Sequence, residues 1–490
     1  MALRPLARRI DERLRAEVGR IPKQAPFAVA LAYPAPYAVA MSSLGYQRIY
    51  RAIQEADGSM CERAFLPDET TGYARPEIPV TYESKRGLAG FPVVAVSVAY
   101  ELEIAGVARL LERSGIPPLR EQRDDRHPFV VAGGPLTFGN PLPLAPYADA
   151  IVMGEAEAIC ADVISTIAGA PSRSRALSCL CRMPHVLVPE HHGEALPRVA
   201  RCDDDLLPAW APIRTPHSEL SNMFLIEAER GCSRTCAYCV MRRSTNAGMR
   251  VVPRERILEL VPGNERRVGL IGAAVSDHPQ IVDVVRALAE RGCEVGLSSL
   301  RPDRLTDAFV AALRAAGHRT LTTAMDGSSE RLRSKLDRHT HESHIERAAE
   351  LARAHGMTRL KLYLMLGLPG ETHADVDECI ALVSNLSRRL PVSLGVAPFC
   401  AKRNTPLDGQ PFAGIDVVED RLDRLRRGLK GRAAVRSTSA KWAWVEHMLA
   451  QGGTDAGRAV LEAVHAGGDF AAYRKAFAGL CARPATSLPP

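Results

Sequence analysis

The segment RGCSRTCAYCVMRR places Cys232, Cys236 and Cys239 in the spacing Cys-x3-Cys-x2-Cys. Three thiolates on one tight loop suit three irons of a cubane cluster, whose fourth iron then stays open to a substrate or cofactor. Purely structural clusters use four cysteines. Zinc prefers four protein ligands, or three and a water, and no clear fourth Cys or His stands close by. A zinc loop is therefore the weaker reading. Gly231 permits the turn into the loop. Tyr238, beside the last cysteine, is placed to shield a cluster or to meet an adenine ring.

Such a loop needs elements that hold it. MFLIEAE (223–229) reads as a strand running straight into it. RVGLIG (267–272), EVGLSS (294–299), TLTTAM (320–325), LKLYLML (360–366) and VSLGVAP (392–398) read as further strands. Helical patterns fill the gaps at 279–291, 303–316, 341–355 and 374–388. Six βα units over 221–400 fit a parallel partial barrel, with chemistry at the C-terminal ends of its strands.

An earlier alternation runs over 26–170: strands at 27–33, 91–98, 129–134 and 150–155, and helices at 41–56, 102–114 and 156–168. It predicts a doubly wound parallel sheet. Its ligand crevice is expected at the strand ends, at Tyr33, Gly133, Gly134, Gly154 and Glu155. Residues 1–25 predict an amphipathic helix, 171–220 a connector with a hairpin around 185–199, and 401–490 a mainly helical segment. The fold class is α/β, a doubly wound sheet followed by a six-unit partial barrel.

The net charge of +7 comes from 63 basic and 56 acidic residues that are intermixed, so no basic stripe marks a nucleic-acid surface. No apolar run approaches the roughly 18 residues of a membrane span. The Arg-rich N-terminus lacks the apolar core of a secretory signal, and Asp11, Glu12 and Glu17 argue against a transit peptide. These features predict a cytoplasmic protein with no membrane partner. The cysteines outside the motif are expected to be core or surface thiols.

The cysteine loop, the strand series and several later motifs resemble the radical S-adenosylmethionine (SAM) superfamily. More narrowly, the chain resembles the branch with an N-terminal cobalamin-binding-like domain. YPAPYAVAMSSLGYQRIY, SVAYELEIAGVARLLERSGIP and ADAIVMGEAEA carry the likeness in the first half; GLIGAAVSDHP, LSSLRPDRL, KLYLMLGLPGET and PFCAKRNTP carry it in the second. The resemblance implies a [4Fe–4S] cluster on the three cysteines, with SAM chelating the open iron through its amino and carboxylate groups. One electron, from a donor such as flavodoxin or ferredoxin, then cleaves the sulfonium to a 5′-deoxyadenosyl radical.

The resemblance also implies cofactor contacts at strand ends. Gly272 stands where the superfamily often has a Gly-Gly-Glu stretch meeting the SAM amine; this chain reads GAAVSD and lacks that Glu. Ser299 and Arg301 follow the third strand, and Arg301 could pair with the SAM carboxylate or, as a surface residue, with Asp303. Asp326 replaces a Glu that would touch SAM; its other reading is an N-cap for the next helix. Gly367, in GLPGET, lies at the edge that meets adenine in the family. No catalytic residue stands out.

Cobalamin domains of the familiar kind offer a His below the cobalt from Asp-x-His-x-x-Gly. Here the corresponding turn reads YPAPYAVAMSSLGY, and His127 is the only His before residue 180. Cobalamin, where bound, is expected without a His ligand. The functional readings are a radical SAM enzyme performing cobalamin-dependent methyl transfer on an unidentified substrate, the same enzyme using the adenosyl radical alone for hydrogen abstraction or cyclisation, and a non-catalytic Fe–S or zinc protein binding RNA or sensing redox state. A methylthiotransferase is disfavoured, because the first 150 residues hold only Cys61 for a second cluster. Anaerobic reconstitution should accordingly load one cluster, about four irons per chain; about eight would restore the methylthiotransferase reading.

Overall fold

The apolar run Phe27–Tyr33 forms a strand inside a six-stranded sheet, ordered Ser59–Phe65, Phe27–Tyr33, Val93–Ser97, Phe129–Gly133, Ala150–Val152, Val186–Leu187. The first five are parallel and the last runs antiparallel to Ala150–Val152. The computed structural model describes residues 3–68, 77–241 and 248–480. Cys481, and the Arg242 and Arg243 that close the cysteine motif, lie outside them.

Two features depart from the sequence reading. The strand Ser59–Phe65 went unpredicted, because Glu62 and Arg63 sit in its middle; both are buried. The hairpin around 185–199 does not form: Val186–Leu187 pairs with Ile151 and Val152, and the short helix Pro189–His192 follows at once.

Arg63 is fully buried and closes a charge network. It gives two hydrogen bonds of 2.8 Å to the buried carboxylate of Glu17, just after the helix Leu3–Ala16, and one of 2.7 Å to Glu83. Glu62 accepts from the hydroxyls of Thr81 and Ser84 at 2.6 and 2.5 Å.

The second alternating series gives mixed α/β structure of the expected kind. Arg267–Ile271 sits between Phe224–Glu227 and Glu294–Leu297 in a three-stranded sheet. Thr320–Asp326, Arg359–Leu366, Val392–Pro398 and Ala433–Ser437 form a four-stranded parallel sheet. A parallel bridge between Leu300 and Thr323 joins the two sheets. Ala433–Ser437 interrupts the mainly helical tail: AAVRS alternates weakly and carries no apolar run, yet it pairs as an edge strand.

Among the described residues, those up to Phe224 and from Gly452 onward form one compact unit, and Leu225–Gln451 the other. Gly457, in the helix Thr454–His465, belongs to the first unit; its carbonyl accepts from the Tyr147 hydroxyl at 2.6 Å. No described helix is long and apolar enough to cross a membrane.

Removing one partner from a buried ion pair leaves an uncompensated charge, at about 3–5 kcal/mol. Glu17→Ala should therefore lower unfolding stability by about that amount, read as a shifted urea midpoint. An unchanged midpoint would show that Arg63 finds other compensation.

Candidate active site

The cysteine loop leaves the short strand Glu229–Gly231, which pairs antiparallel with Met249–Val251. Within the loop, the Arg234 N–H lies 3.4 Å from Cys232 Sγ, and the Cys239 N–H donates to the Cys236 carbonyl at 3.2 Å. The segment after the helix Glu330–Lys335 clamps it. Ala237 N–H donates to the Leu336 carbonyl at 2.9 Å, and the Thr235 hydroxyl donates to Asp337. All three motif cysteines are free thiols, Cys236 buried and the others half-buried. Burial pushes the Cys239 thiol up to about 11 and raises Cys232 as well. Metal loading must expel such protons. No three His, Cys, Asp or Glu side chains among the described residues form a single-ion cage; a cubane instead spreads its three thiolates over three irons.

Asp326 ends its strand at φ +66°, after a register shift. This left-handed conformation is uncommon for a residue with a side chain and clusters at functional sites. It aims the carboxylate at two partners. The Tyr238 hydroxyl donates to Oδ2 at 2.8 Å, and Arg338 Nε lies 2.5 Å from the same oxygen. Arg338 Nη1 also reaches Cys236 Sγ at 4.0 Å. Burial, reinforced by the Asp326 charge, holds the Tyr238 hydroxyl far above its ordinary range. Burial alone would lower Arg338, but the negative groups around it win and raise it. The N-cap reading of Asp326 falls: Ser329 caps the next helix, accepting from the Leu332 N–H at 3.2 Å.

Arg301 does pair with Asp303, at 3.0 and 3.2 Å, but it is buried, not a surface residue. Its Nη2 also donates to the Arg338 carbonyl at 3.1 Å, and its backbone N–H to the Ser276 hydroxyl at 3.1 Å. Its Nη1 is buried without a partner. Ser299 is exposed at the strand end, and no contact joins it to this group. The amide of Gly367 donates to Glu371 at 2.6 Å, and a Cβ there would press on Val418 at 3.1 Å. Gly367 thus serves the fold, while its neighbour Leu368 packs in the apolar cluster that holds Tyr238 and Met365.

Two residues escaped the sequence reading. Arg338 follows a helix among polar neighbours and has no motif signal. Glu229 lay hidden in the strand-like run MFLIEAE. Its Oε1 accepts from the Ala274 N–H at 2.6 Å, while its Oε2 is buried with no partner. Burial, with the nearby charges of Glu227 and Asp277, lifts its carboxyl to about 7. A Cβ on Gly272 would lie 2.2 Å from Oε1, so only glycine leaves room for it.

The structure thus brings Tyr238 and Asp326 onto the loop through Arg338, and Arg301 beside Arg338. An orphaned acceptor on Glu229 and an orphaned donor on Arg301 flank the turn 272–276. That donor set suits the zwitterionic end of SAM.

Residues 45–189 match the family model for the N-terminal part of radical SAM proteins, and residues 226–383 match that for the radical SAM superfamily. The chain belongs to the radical SAM superfamily and is a radical SAM enzyme. It is similar to the uncharacterized protein MJ0966 of Methanocaldococcus jannaschii, 28 % identical over 338 residues, which cover 66 % of this chain and 70 % of that protein. It is 25 % identical to a tRNA-2-methylthio-N(6)-dimethylallyladenosine synthase of Desulfitobacterium hafniense, over 45 % of this chain and half of that one. In fold it is similar to the radical SAM methyltransferase TsrM of Kitasatospora setae, solved with cobalamin and a [4Fe–4S] cluster bound. The TM-score there is 0.53 at 16 % identity, over 80 % of this chain and 78 % of that chain.

Arg338→Met leaves the half-buried Asp326 without its cation. In the unloaded protein the change should lower stability by about 3–5 kcal/mol, and Asp326→Asn in the same chain should recover most of it. Urea unfolding of the single and double variants measures both, and a double variant no better than the single one would separate the two residues.

Proposed function

We propose that Cys232, Cys236 and Cys239 hold the [4Fe–4S] cluster, and that SAM lies between the loop and the strand ends carrying Gly272, Arg301 and Asp326. The observation that carries this reading is the clamped loop of three free thiols beside two buried, unpaired polar atoms of opposite character. When bound, the cluster supplies the electron that cleaves SAM and starts radical chemistry. The chain's own residues then have separate tasks. Arg301 Nη1 offers a donor to the SAM carboxylate. Arg338 keeps a positive charge at Cys236. Tyr238, protonated and fixed by Asp326, covers one side of the loop with its ring.

The strands from Phe224 to Ser437 act as one partial barrel of parallel strands, joined at Leu300 and Thr323. Its interior supports a substrate space. On Arg359–Leu366 the leucines 360, 362, 364 and 366 are buried, and the opposite face carries Lys361 and Tyr363. In register across the sheet, Thr322, Lys361 and Ser393 form one row, and Ala324, Tyr363 and Gly395 the next. Ordinary barrels fill this space with bulky branched side chains; these rows are small or polar.

Cobalamin-dependent methyl transfer is a second reading, favoured by the fold likeness to TsrM. The strand-end side chains of the six-stranded sheet do not by themselves form a site for it. Ser42 is hydrogen-bonded to the Ala38 carbonyl and the Leu220 N–H, and Thr137 to the Gly134 carbonyl and the Gly154 N–H. Tyr33 bonds to Glu103 and Ser43. A flavodoxin- or ferredoxin-like donor and a cytoplasmic setting belong to the same proposal.

Anaerobic protein with all three motif cysteines changed to Ala should lose its iron, its cluster absorbance and SAM cleavage. Retention of about four irons would sink the assignment. Adding cobalamin to the wild-type protein separates the two chemistries: a corrinoid spectrum that survives gel filtration selects methyl transfer, and its absence selects the adenosyl radical alone.

A further inference from the structure

Glu229 holds a buried carboxylate that the fold does not satisfy. Its Oε1 is fixed by the Ala274 N–H, but its Oε2 has no partner. A buried, unpaired carboxylate oxygen is costly to keep. The nearby cations do not relieve it. Arg230 forks onto Glu227 at 2.6 and 2.9 Å, and Arg234 onto Asp277 at 2.5 and 3.0 Å. Gly272 keeps the space open, since any Cβ there would displace the carboxylate. The turn from Gly272 to Ser276 ends the strand Arg267–Ile271. At its far end Ser276 accepts from the Arg301 N–H, and the Arg301 guanidinium has its own unpaired nitrogen. Glu229, three residues before the first motif cysteine, thus sets an acceptor at one part of the turn, and Arg301, bonded to its far end, carries a donor.

We infer that Glu229 accepts a hydrogen bond from the α-amino N–H of SAM, making it the ligand-binding carboxylate that the turn GAAVSD does not itself carry at this place. The amino-acid end of SAM offers N–H donors and carboxylate oxygens, the partners that Glu229 Oε2 and Arg301 Nη1 lack. The inference rests on the reading of the loop as the cluster site, because that site sets the amino-acid end of SAM beside the open iron. Glu229 accepts from the amino group, and Gly272 positions Glu229 by the absence of a side chain.

Equilibrium dialysis on anaerobically reconstituted protein tests this, with iron content and the visible spectrum recorded for each sample. The probes are SAM and a SAM analogue lacking the α-amino group. Wild-type protein should prefer SAM by about tenfold or more, the range of a hydrogen bond between charged partners. Glu229→Gln with full iron should lose about that factor for SAM and little for the analogue. Gly272→Ala should weaken SAM in the wild-type chain but add little in the Glu229→Gln chain, as expected for two changes to one contact. Glu229→Gln binding SAM as tightly as wild type, at full iron, overturns the inference. If that variant loads no iron, Gly272→Ala in the otherwise wild-type, fully loaded chain decides instead, and an unchanged preference for SAM over the analogue there overturns it. Wild-type protein that is fully loaded yet binds no SAM would instead defeat the cluster-site reading itself.

Discussion

The buried guanidinium of Arg338 is the contact on which the cysteine loop depends. The loop is irregular backbone, and irregular backbone holds its shape only when its polar groups find fixed partners. Arg338 reaches Asp326 at 2.5 Å and Cys236 at 4.0 Å, and its carbonyl accepts from Arg301. One side chain thus ties the end of the strand Thr320–Asp326 and the middle cysteine together, and its backbone draws in Arg301. The left-handed backbone of Asp326 is tolerable for the same reason: an ion pair to Arg338 and a hydrogen bond from Tyr238 hold a conformation that a side chain otherwise avoids. A positive charge near a cluster sulfur is also one of the ways a protein adjusts cluster potential, so the group that shapes the loop also sets its electrostatics.

Buried charge alone does not mark a site in this chain. Arg63 with Glu17 and Glu83 is as deeply buried as anything near the cysteines, and so is Asp149 between Arg123 and Arg173. Those networks bind elements of the first unit together. Unpaired guanidinium nitrogens occur in several places, Arg123 as well as Arg301, but Glu229 Oε2 is the one buried carboxylate oxygen without a partner among the described residues. A fold gains nothing by burying such an atom, so the arrangement makes sense when a ligand completes it.

Legibility in the sequence followed the same physics. The strands at 27–33, 320–326, 359–366 and 392–398 were readable because apolar runs of strand length sit between helical periods. Ser59–Phe65 was not, since its inner positions carry charges whose partners lie 19 to 46 residues away. The cysteines were legible by spacing, and Asp326 by its place at a strand end. Gly272 was found by its place in the family pattern, yet what the position needs is empty space for a side chain from another strand. Glu229 could have been found only by asking why a carboxylate ends an apolar strand. Arg338 had no local signal, because a buried arginine and an exposed one look the same without their partners.

On the proposed assignment, the substrate is recognised somewhere other than the cysteine loop. The loop and the strand-end groups are concerned with cluster and SAM, which many substrates share. The rows across the sheet are another matter. Tyr363 fits flat against Gly395, where a Cβ would stand 2.9 Å from the ring, and Lys361 lies over the ring with its Nζ 4.7 Å from the centroid. Leucine or isoleucine at 361 and 395 would fill the space as in a packed barrel core. A glycine that makes room for an aromatic ring, beneath a lysine that no described carboxylate neutralises, leaves a surface with shape and charge of its own. On that proposal specificity rests on side chains that the fold itself does not dictate, which is why the fold and the cofactor chemistry can be read so much further than the substrate.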